Sequence, residues 1–243
     1  MDLTGKNVVI TGGSAGIGLA LATTFLAAGA RVLLCGRDPE RLQAAREQLA
    51  TAQVLQADLR AAADRELLVR ESLSRLGAVD ILVNNAGTQT LMDFTQEDAE
   101  RPVESEVEIN LVAPIRLIEG FLPHLLSRPA AAIVNVTSGL ALVPKRSAPV
   151  YCATKAGLRS FTQALRYQLA GTPVRVVEAL PPLVDTSMTA GRGTGKLSPD
   201  ACAQAIVRGL ARDQREIRIG KTRLLFAAHR LSPALAAKLM RDY

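Results

Sequence analysis

The sequence predicts an α/β protein: a doubly wound parallel sheet of about seven strands with helices on both faces. Three observations carry that reading. Short runs rich in Val, Ile and Leu alternate with longer stretches of helical composition along most of the chain. Several of those runs lack polar/apolar alternation, as strands buried on both faces do. A glycine-rich turn joins the first such run to the first helical stretch.

The elements follow in order. Strands are predicted at 7–10, 31–35, 53–56, 81–84, 132–137, 174–180 and 216–219, each a short β-rich apolar run. Helices are predicted at 17–28, 39–50, 62–76, within 97–126, at 150–169 and at 199–211. Asp38-Pro39 and Ser198-Pro199 each offer a side-chain cap followed by proline at the first helical position. Pro114 is expected to kink or divide the long piece within 97–126, because it removes a helical donor. No repeat, low-complexity linker or second-domain boundary is evident, so residues 1–243 are read as one Rossmann-like domain. Residues 186–198, TSMTAGRGTGKLS, are rich in glycine and polar residues, and are read as a lid loop over a site.

Composition narrows the function classes. No run of eighteen apolar residues offers a membrane span. MDLTGKNVVITGG has no basic region before an apolar one, so no signal peptide is evident. Cys35, Cys152 and Cys202 are odd in number, widely spaced and without metal-ligand spacing, which fits a reducing cytoplasm and no metal site. The chain carries a net charge of +6, and residues 208–243, with nine Arg or Lys and three Asp or Glu, account for all of it. That basic segment, with its extension at 221–243, reads either as a solvated helix face or as a surface for an anionic partner or membrane. Aromatic interleaving is absent, so no nucleic-acid partner is expected.

The first chemical signal is TGGSAGIG, residues 11–18. Gly12, Gly16 and Gly18 let the backbone turn tightly and approach a pyrophosphate seated on a helix N-terminus. The next strand ends in LLCGRD. Where an NAD-binding sheet commonly has an acidic residue for the ribose hydroxyls, this chain has Gly36 followed by Arg37, and a guanidinium suits a 2′-phosphate. NADP(H) is therefore expected over NAD(H). Asp58, after the third strand, either accepts a bond from an adenine amino group or caps the next helix.

The remaining motifs carry a family resemblance. TGGSAGIG, NNAG (84–87), Asn110 in EINL, Ser138 in NVTSG, and Tyr151 and Lys155 in YCATK stand in the order seen in short-chain dehydrogenases/reductases. Ser138 precedes Tyr151 by thirteen residues, as in that family. The resemblance spans residues 6–190. INLVAPIRLIEGFLPHLL, SGLALVP, PVYCATKAGLRSFT and PPLVDT further resemble the bacterial DltE-like subgroup. Two positions depart from common family patterns: Pro181-Pro182 stands where many members have Pro-Gly, and Ala15 stands where many NADP-using members have a basic residue.

The resemblance implies a catalytic set of Asn110, Ser138, Tyr151 and Lys155. It also implies cofactor contacts from the glycine loop with Ser14 and Ile17, from Leu59 beside Asp58, from Asn85, Ala86 and Gly87, and from Pro181, Val184 and Thr186. Asn84 is expected to lock the central sheet. Asn110 is expected to fix a helix irregularity and a water linking Lys155 to solvent, and Lys155 to hold the nicotinamide ribose. A homodimer or homotetramer is implied as well.

Tyr151 and Lys155 stand four residues apart, on one helix face. A free phenol, with a pKa near 10, is a poor base at neutral pH. A nearby ammonium, together with an oxidised nicotinamide, is expected to stabilise the phenolate and so make Tyr151 a usable general acid/base. Ser138 would hold the substrate oxygen. Cys152 lies about 100° around the same helix and reads as packing. These expectations describe an NADP(H)-dependent oxidoreductase acting on a small-molecule carbonyl/alcohol pair. Gly139, Leu140, Leu142, Val143, Leu183 and Met188 should line a mostly apolar substrate site, with Arg192 and Lys196 on the loop above. A nucleotide-sensing protein without turnover is the alternative on the same fold, and the intact Ser138–Tyr151–Lys155 set argues against it. A sugar epimerase or dehydratase would need a larger C-terminal substrate domain than this chain carries.

Overall fold

The computed structural model describes residues 1–97 and 101–242. Seven parallel strands form one sheet: β1 (Asn7–Thr11), β2 (Arg31–Gly36), β3 (Gln53–Gln56), β4 (Ile81–Asn84), β5 (Ala131–Val136), β6 (Val174–Leu180) and β7 (Glu216–Arg218). Their order is β3-β2-β1-β4-β5-β6-β7. Each strand coincides with an apolar run read from the sequence, with ends displaced by a residue or so.

Between the strands lie α1 (Gly16–Ala27), α2 (Pro39–Gln48), α3 (Ala62–Leu76), α4 (Val103–Val107), α5 (Ala113–Leu126), α6 (Pro149–Gln168) and α7 (Pro199–Ala211). Side chains alternate across the sheet into two cores. Val8, Ile10, Ile81 and Val83 face α1 and α7 through Leu21, Phe25, Ala203 and Ile206. Val9, Leu33, Leu82 and Ile133 face α3, α5 and α6 through Leu68, Leu117, Phe121 and Leu165. The caps read from the sequence are made. Asp38 accepts from the Arg41 N–H at 3.1 Å and Ser198 from the Ala201 N–H at 3.2 Å.

The expectation at Pro114 is modified. The helix is neither broken nor divided there, but runs from Val103 to Leu126 through a π-helical turn at Glu108–Val112. Pro114 has no N–H for the carbonyl of Asn110, and the wide turn ends beside it. By length and composition this helical run would be apolar enough to cross a membrane, a property the apolar-run criterion did not register. Ile118 and Leu125 on α5, with Leu117 and Phe121, pack it into the core. Residues 98–100 of the piece predicted within 97–126 lie outside the described residues, as does Tyr243.

The C-terminal segment is not a simple extension. It folds as two helices, α8 (Thr222–Leu231) and α9 (Pro233–Arg241), which return over the carboxyl ends of the strands. α9 is held by the Arg146 N–H bonding the Arg241 carbonyl at 2.9 Å and by an Arg146–Asp242 ion pair at 3.0 Å.

The chain runs outward from β1 to β3 on one side of the sheet, and from β4 to β7 on the other. The order therefore reverses between β1 and β4, and a crevice opens at the carboxyl ends of strands at such a switch point.

Candidate active site

A cleft of about 700 Å³ occupies that crevice. Its floor is the glycine loop. Gly12 (φ +63°) and Gly16 (φ +53°) adopt left-handed backbone that glycine tolerates. A Cβ on Gly12 would lie 2.9 Å from the Ala86 Cα, so the β4 loop is packed directly on the turn. Ala15, the N-cap of α1, supplies no side-chain cap, and the first turn of α1 holds no acidic residue. Its first N–H groups therefore face the cleft free for an anion. Glycines pressed against backbone and an uncapped helix start fit a dinucleotide pyrophosphate.

Ser14, Ile17 and Leu59 line the cleft, as do Pro181, Val184 and Thr186 after β6. Gly18 does not; it packs beneath the loop against the Gly12 carbonyl. Thr11 organises the β4 side, its hydroxyl accepting from the N–H groups of Asn85 and Ala86 at 3.0 Å each. Asn85 lines the cleft, but its amide is spent on the carbonyls of Thr11 and Gly12, at 3.0 and 3.3 Å. Asn84 behaves as expected for a sheet lock. Its Nδ2 donates to Asn135 Oδ1 at 2.9 Å, and Asn135 passes the chain to Thr162 on α6 at 2.9 Å.

At the far end of the crevice Arg37 is exposed, with no ion pair among the described residues. Arg41 and Arg60, which the sequence reading did not single out, lie beside it. Asp58 lines the same end of the cleft, and of its two expected roles the helix cap falls away. Its carboxylate is bound by the Arg60 guanidinium and accepts from the Arg60 N–H at 3.1 Å, and Ala61 is the N-cap of α3. Asp58 therefore caps no helix. The Arg60 bonds, with Arg37 adding a smaller pull, hold its carboxyl below the usual range. The guanidinium two residues on was visible in the sequence and would have flagged this pairing.

At the near end α6 brings up Tyr151 and Lys155. Both line the cleft with Ser138, which follows β5. The Ser138 hydroxyl accepts from the Leu140 N–H at 3.1 Å and stands near enough to the phenol to favour its ionised form. Lys155 is buried, and its Nζ donates to the Val136 carbonyl at 2.9 Å. It stands 5.8 Å from the centre of the Tyr151 ring.

The acidification expected of Tyr151 is not supplied by the chain's own residues. Burial pushes the phenol up to about 12, and the nearby Ser138 hydroxyl only partly opposes this. Burial likewise lowers Lys155 to about 8. The lysine's hydrogen bond goes to the backbone, so desolvation outweighs its help to the phenolate.

Asn110 is fully buried within the π-helical turn, the helix irregularity expected of it. Its amide accepts from the Thr88 N–H at 2.9 Å and donates to the Thr88 carbonyl at 2.8 Å and Thr154 Oγ1 at 3.3 Å. It thus splints the β4 loop to α6, and does not line the cleft. Gly87 fits between, since a Cβ there would lie 3.0 Å from Asn110 Oδ1 and 3.6 Å from Lys155 Nζ.

The substrate side is apolar. Gly139, Leu140, Leu183 and Met188 line it, whereas Val143 is buried in the interior and Leu142 is outside the lining. Their places are taken by residues the sequence reading missed: Leu224, Leu225 and Ala228 of α8, and Leu239 and Met240 of α9. Lys145 adds one half-buried ammonium to this wall. The loop at 186–198 is tied down rather than loose. Val184 bridges Leu197, Lys196 bonds Asp185 at 3.2 Å and the Thr189 carbonyl at 2.7 Å, and Arg192 bonds Gln89 at 2.6 Å. Both loop cations are thereby engaged within the protein. Cys152 is buried, as packing requires, and its sulfur meets the Lys145 N–H at 3.5 Å.

Comparison with known proteins agrees with this architecture. The family model for short chain dehydrogenases matches residues 6–196. The uncharacterized oxidoreductase DltE of Bacillus subtilis is 43% identical over 224 residues, covering 89% of each chain. An uncharacterized oxidoreductase of Staphylococcus epidermidis is 34% identical, over 84% of this chain and 90% of its own. Among solved structures, a short chain dehydrogenase from Burkholderia cenocepacia in complex with NADP superposes with a TM-score of 0.88 at 26% identity, covering all of both chains. A short chain dehydrogenase/reductase from Burkholderia phymatum in complex with NAD gives a TM-score of 0.88 at 23% identity, covering 100% of this chain and 97% of that one. With the family model spanning most of the chain and the parallel sheet in place, this protein belongs to the short-chain dehydrogenase/reductase family of oxidoreductases.

Proposed function

We propose that the protein is an NADP(H)-dependent oxidoreductase that interconverts a carbonyl and an alcohol, with Tyr151 as general acid/base. One observation carries the reading. A single cleft has the glycine loop and an exposed Arg37 at one end and Ser138, Tyr151 and Lys155 at the other. Such a cleft spans a dinucleotide and ends at a proton donor. The NADP complex of the Burkholderia cenocepacia relative is consistent with it, and the choice over NAD rests on Arg37.

A nicotinamide dinucleotide, when bound, supplies or takes up the hydride. The chain's own residues do the rest. Gly12, Gly16 and the start of α1 hold the pyrophosphate, and Arg37 holds the 2′-phosphate. Ser138 fixes the substrate oxygen beside the phenol. In reduction Tyr151 gives its proton to that oxygen as negative charge develops there, and in oxidation it takes the proton back. Lys155, as ammonium, stabilises the phenolate that remains. Leu140, Leu183, Met188 and the inner faces of α8 and α9 exclude water and receive the hydrophobic body of the substrate.

The test is NADPH consumption against a panel of aldehydes and ketones of increasing apolar size. Turnover should rise with hydrophobic bulk. A protein that binds NADPH tightly yet turns over nothing in the panel would be the nucleotide-binding alternative. Arg37→Asp places a carboxylate where the phosphate should sit. It should weaken NADPH about 10²-fold while sparing NADH. An unchanged ratio of the two affinities would place the phosphate elsewhere.

The loop at 186–198 is proposed as the substrate lid. Arg192→Ala cuts its bond to Gln89, a cleft residue. The KM for the carbonyl should rise about threefold to tenfold, with NADPH affinity unchanged. Steady-state kinetics with saturating NADPH read this directly.

A further inference from the structure

Four charged side chains are buried among the described residues: Asp80, Glu106, Lys155 and Glu178. Asp80 is paired with Arg128 at 2.8 Å, and Glu178 with Arg159 at 2.6 Å. Glu106 and Lys155 make no contact ion pair. Glu106 has no exposed surface; its Oε1 receives only the Thr90 N–H, at 3.4 Å, and its Oε2 has no partner. An orphaned carboxyl oxygen in the interior is costly and calls for a reason.

The surroundings supply one. Glu106 stands on α4, four residues before Asn110, so the two share a helix face. That face meets the β4 loop, through Thr88 and Thr90, and α6, through Thr154. Among the described residues, Tyr151, Cys152 and Lys155, all on α6, feel the Glu106 charge. Burial raises the Glu106 carboxyl and lowers the Lys155 ammonium, and each charge opposes the other's shift. The carboxylate also raises Tyr151.

We propose that Glu106 is the counter-charge of Lys155: a positioning residue, outside the cleft, that keeps the ε-ammonium protonated beneath Tyr151. The catalytic part of this inference rests on the reading of Tyr151 and Lys155 as the acid/base pair; the electrostatic part does not. Lys155 spends its hydrogen bond on the neutral Val136 carbonyl, so Glu106 is the one buried negative charge acting on it among the described residues. Without that charge, desolvation alone would govern the lysine.

The sign is fixed. Glu106→Gln keeps the shape and removes the charge. Both Lys155 and Tyr151 should then lose their protons at lower pH. Carbonyl reduction requires both protonated, so the alkaline limb of its pH profile should move down. In the oxidative direction, which requires phenolate, the acid limb should move down too. The direct measurement needs no substrate: a heteronuclear NMR titration of the lysine side chains, with Lys155 assigned by the peak lost in Lys155→Met. Lys155 in Glu106→Gln should titrate about one unit below wild type, and Glu106→Asp should restore most of the shift. Titration at the wild-type pH would overturn the inference.

If Glu106→Gln does not fold, the same coupling is read from the other side. In Lys155→Met the Glu106 carboxyl carbon should titrate at higher pH than in wild type, and an unchanged value overturns the proposal. Turnover retained by Tyr151→Phe would remove the catalytic reading alone, leaving the titration to decide the counter-charge.

Discussion

Tyr151→Phe is expected to lower NADPH-dependent carbonyl reduction by about 10²- to 10⁴-fold while leaving NADPH affinity within about twofold. Tyr151, the proposed proton donor, stands on α6 and lines the cleft together with Ser138. Phenylalanine keeps that ring and its packing, so the loss should appear in kcat rather than in folding. The Ser138 hydroxyl would remain in place, still held by the Leu140 N–H. Residual turnover should therefore still show saturation by substrate. Stopped-flow NADPH oxidation beside fluorescence titration of NADPH separates the two quantities. Wild-type turnover in the variant would end the assignment of Tyr151.

Gly18→Ala is expected to have a comparably large effect, although Gly18 lies outside the cleft lining. A Cβ there would lie 2.1 Å from the Gly12 carbonyl oxygen and 2.7 Å from Asn85 Nδ2. Gly12 is in turn pinned by Ala86, so the loop cannot yield without separating from β4. Gly18→Ala must therefore lift the start of α1 away from the turn. Overpacking of this kind costs about 2–3 kcal/mol, or a fall in Tm of roughly 5–10 °C for a chain of this size. NADPH affinity should drop at least about 10²-fold, because the α1 N–H groups lose their aim at the pyrophosphate. Differential scanning fluorimetry with and without NADPH measures both. A variant with wild-type stability and affinity would show that the close packing of Gly18 on Gly12 has no consequence.

The strands were legible because a parallel sheet covered on both faces leaves runs rich in Val, Ile and Leu, clearest at β1, β2 and β4 and weakest at the edge strand β7, where Ile217 is flanked by Glu216 and Arg218. Asp38-Pro39 and Ser198-Pro199 were legible because capping is local. The same local signal was present and unused at Ser232-Pro233, where Ser232 accepts from the Leu235 N–H at 3.3 Å and starts α9. The density of Arg and Lys there read as a solvated tail, although Leu224 and Leu239 reach the cleft mouth. The order and spacing of Ser138, Tyr151 and Lys155 made the near end of the site legible, since α6 delivers two of them on one face.

What sequence could not give was the environment of those groups. Whether Lys155 helps the phenol depends on where its Nζ points, and it points at the Val136 carbonyl. VESEVE offers glutamates at 104, 106 and 108, and only the packing of α4 beside α6 selects Glu106 for burial. Glu108 instead meets Arg65 at 2.7 Å near the surface. The π-helical turn was likewise hidden, because Pro114 signals a disturbance without saying how the helix absorbs it.

In the proposed mechanism a phenol raised by burial becomes a working acid/base once the dinucleotide is in place. The measurement that meets it most directly is an ultraviolet tyrosinate titration of the protein with and without NADP⁺, repeated on Tyr151→Phe. With NADP⁺ present, one phenol should ionise well below the ordinary value of about 10, and Tyr151→Phe should lack this transition. A Tyr151 that ionises at the same alkaline pH whether or not NADP⁺ is bound would contradict it.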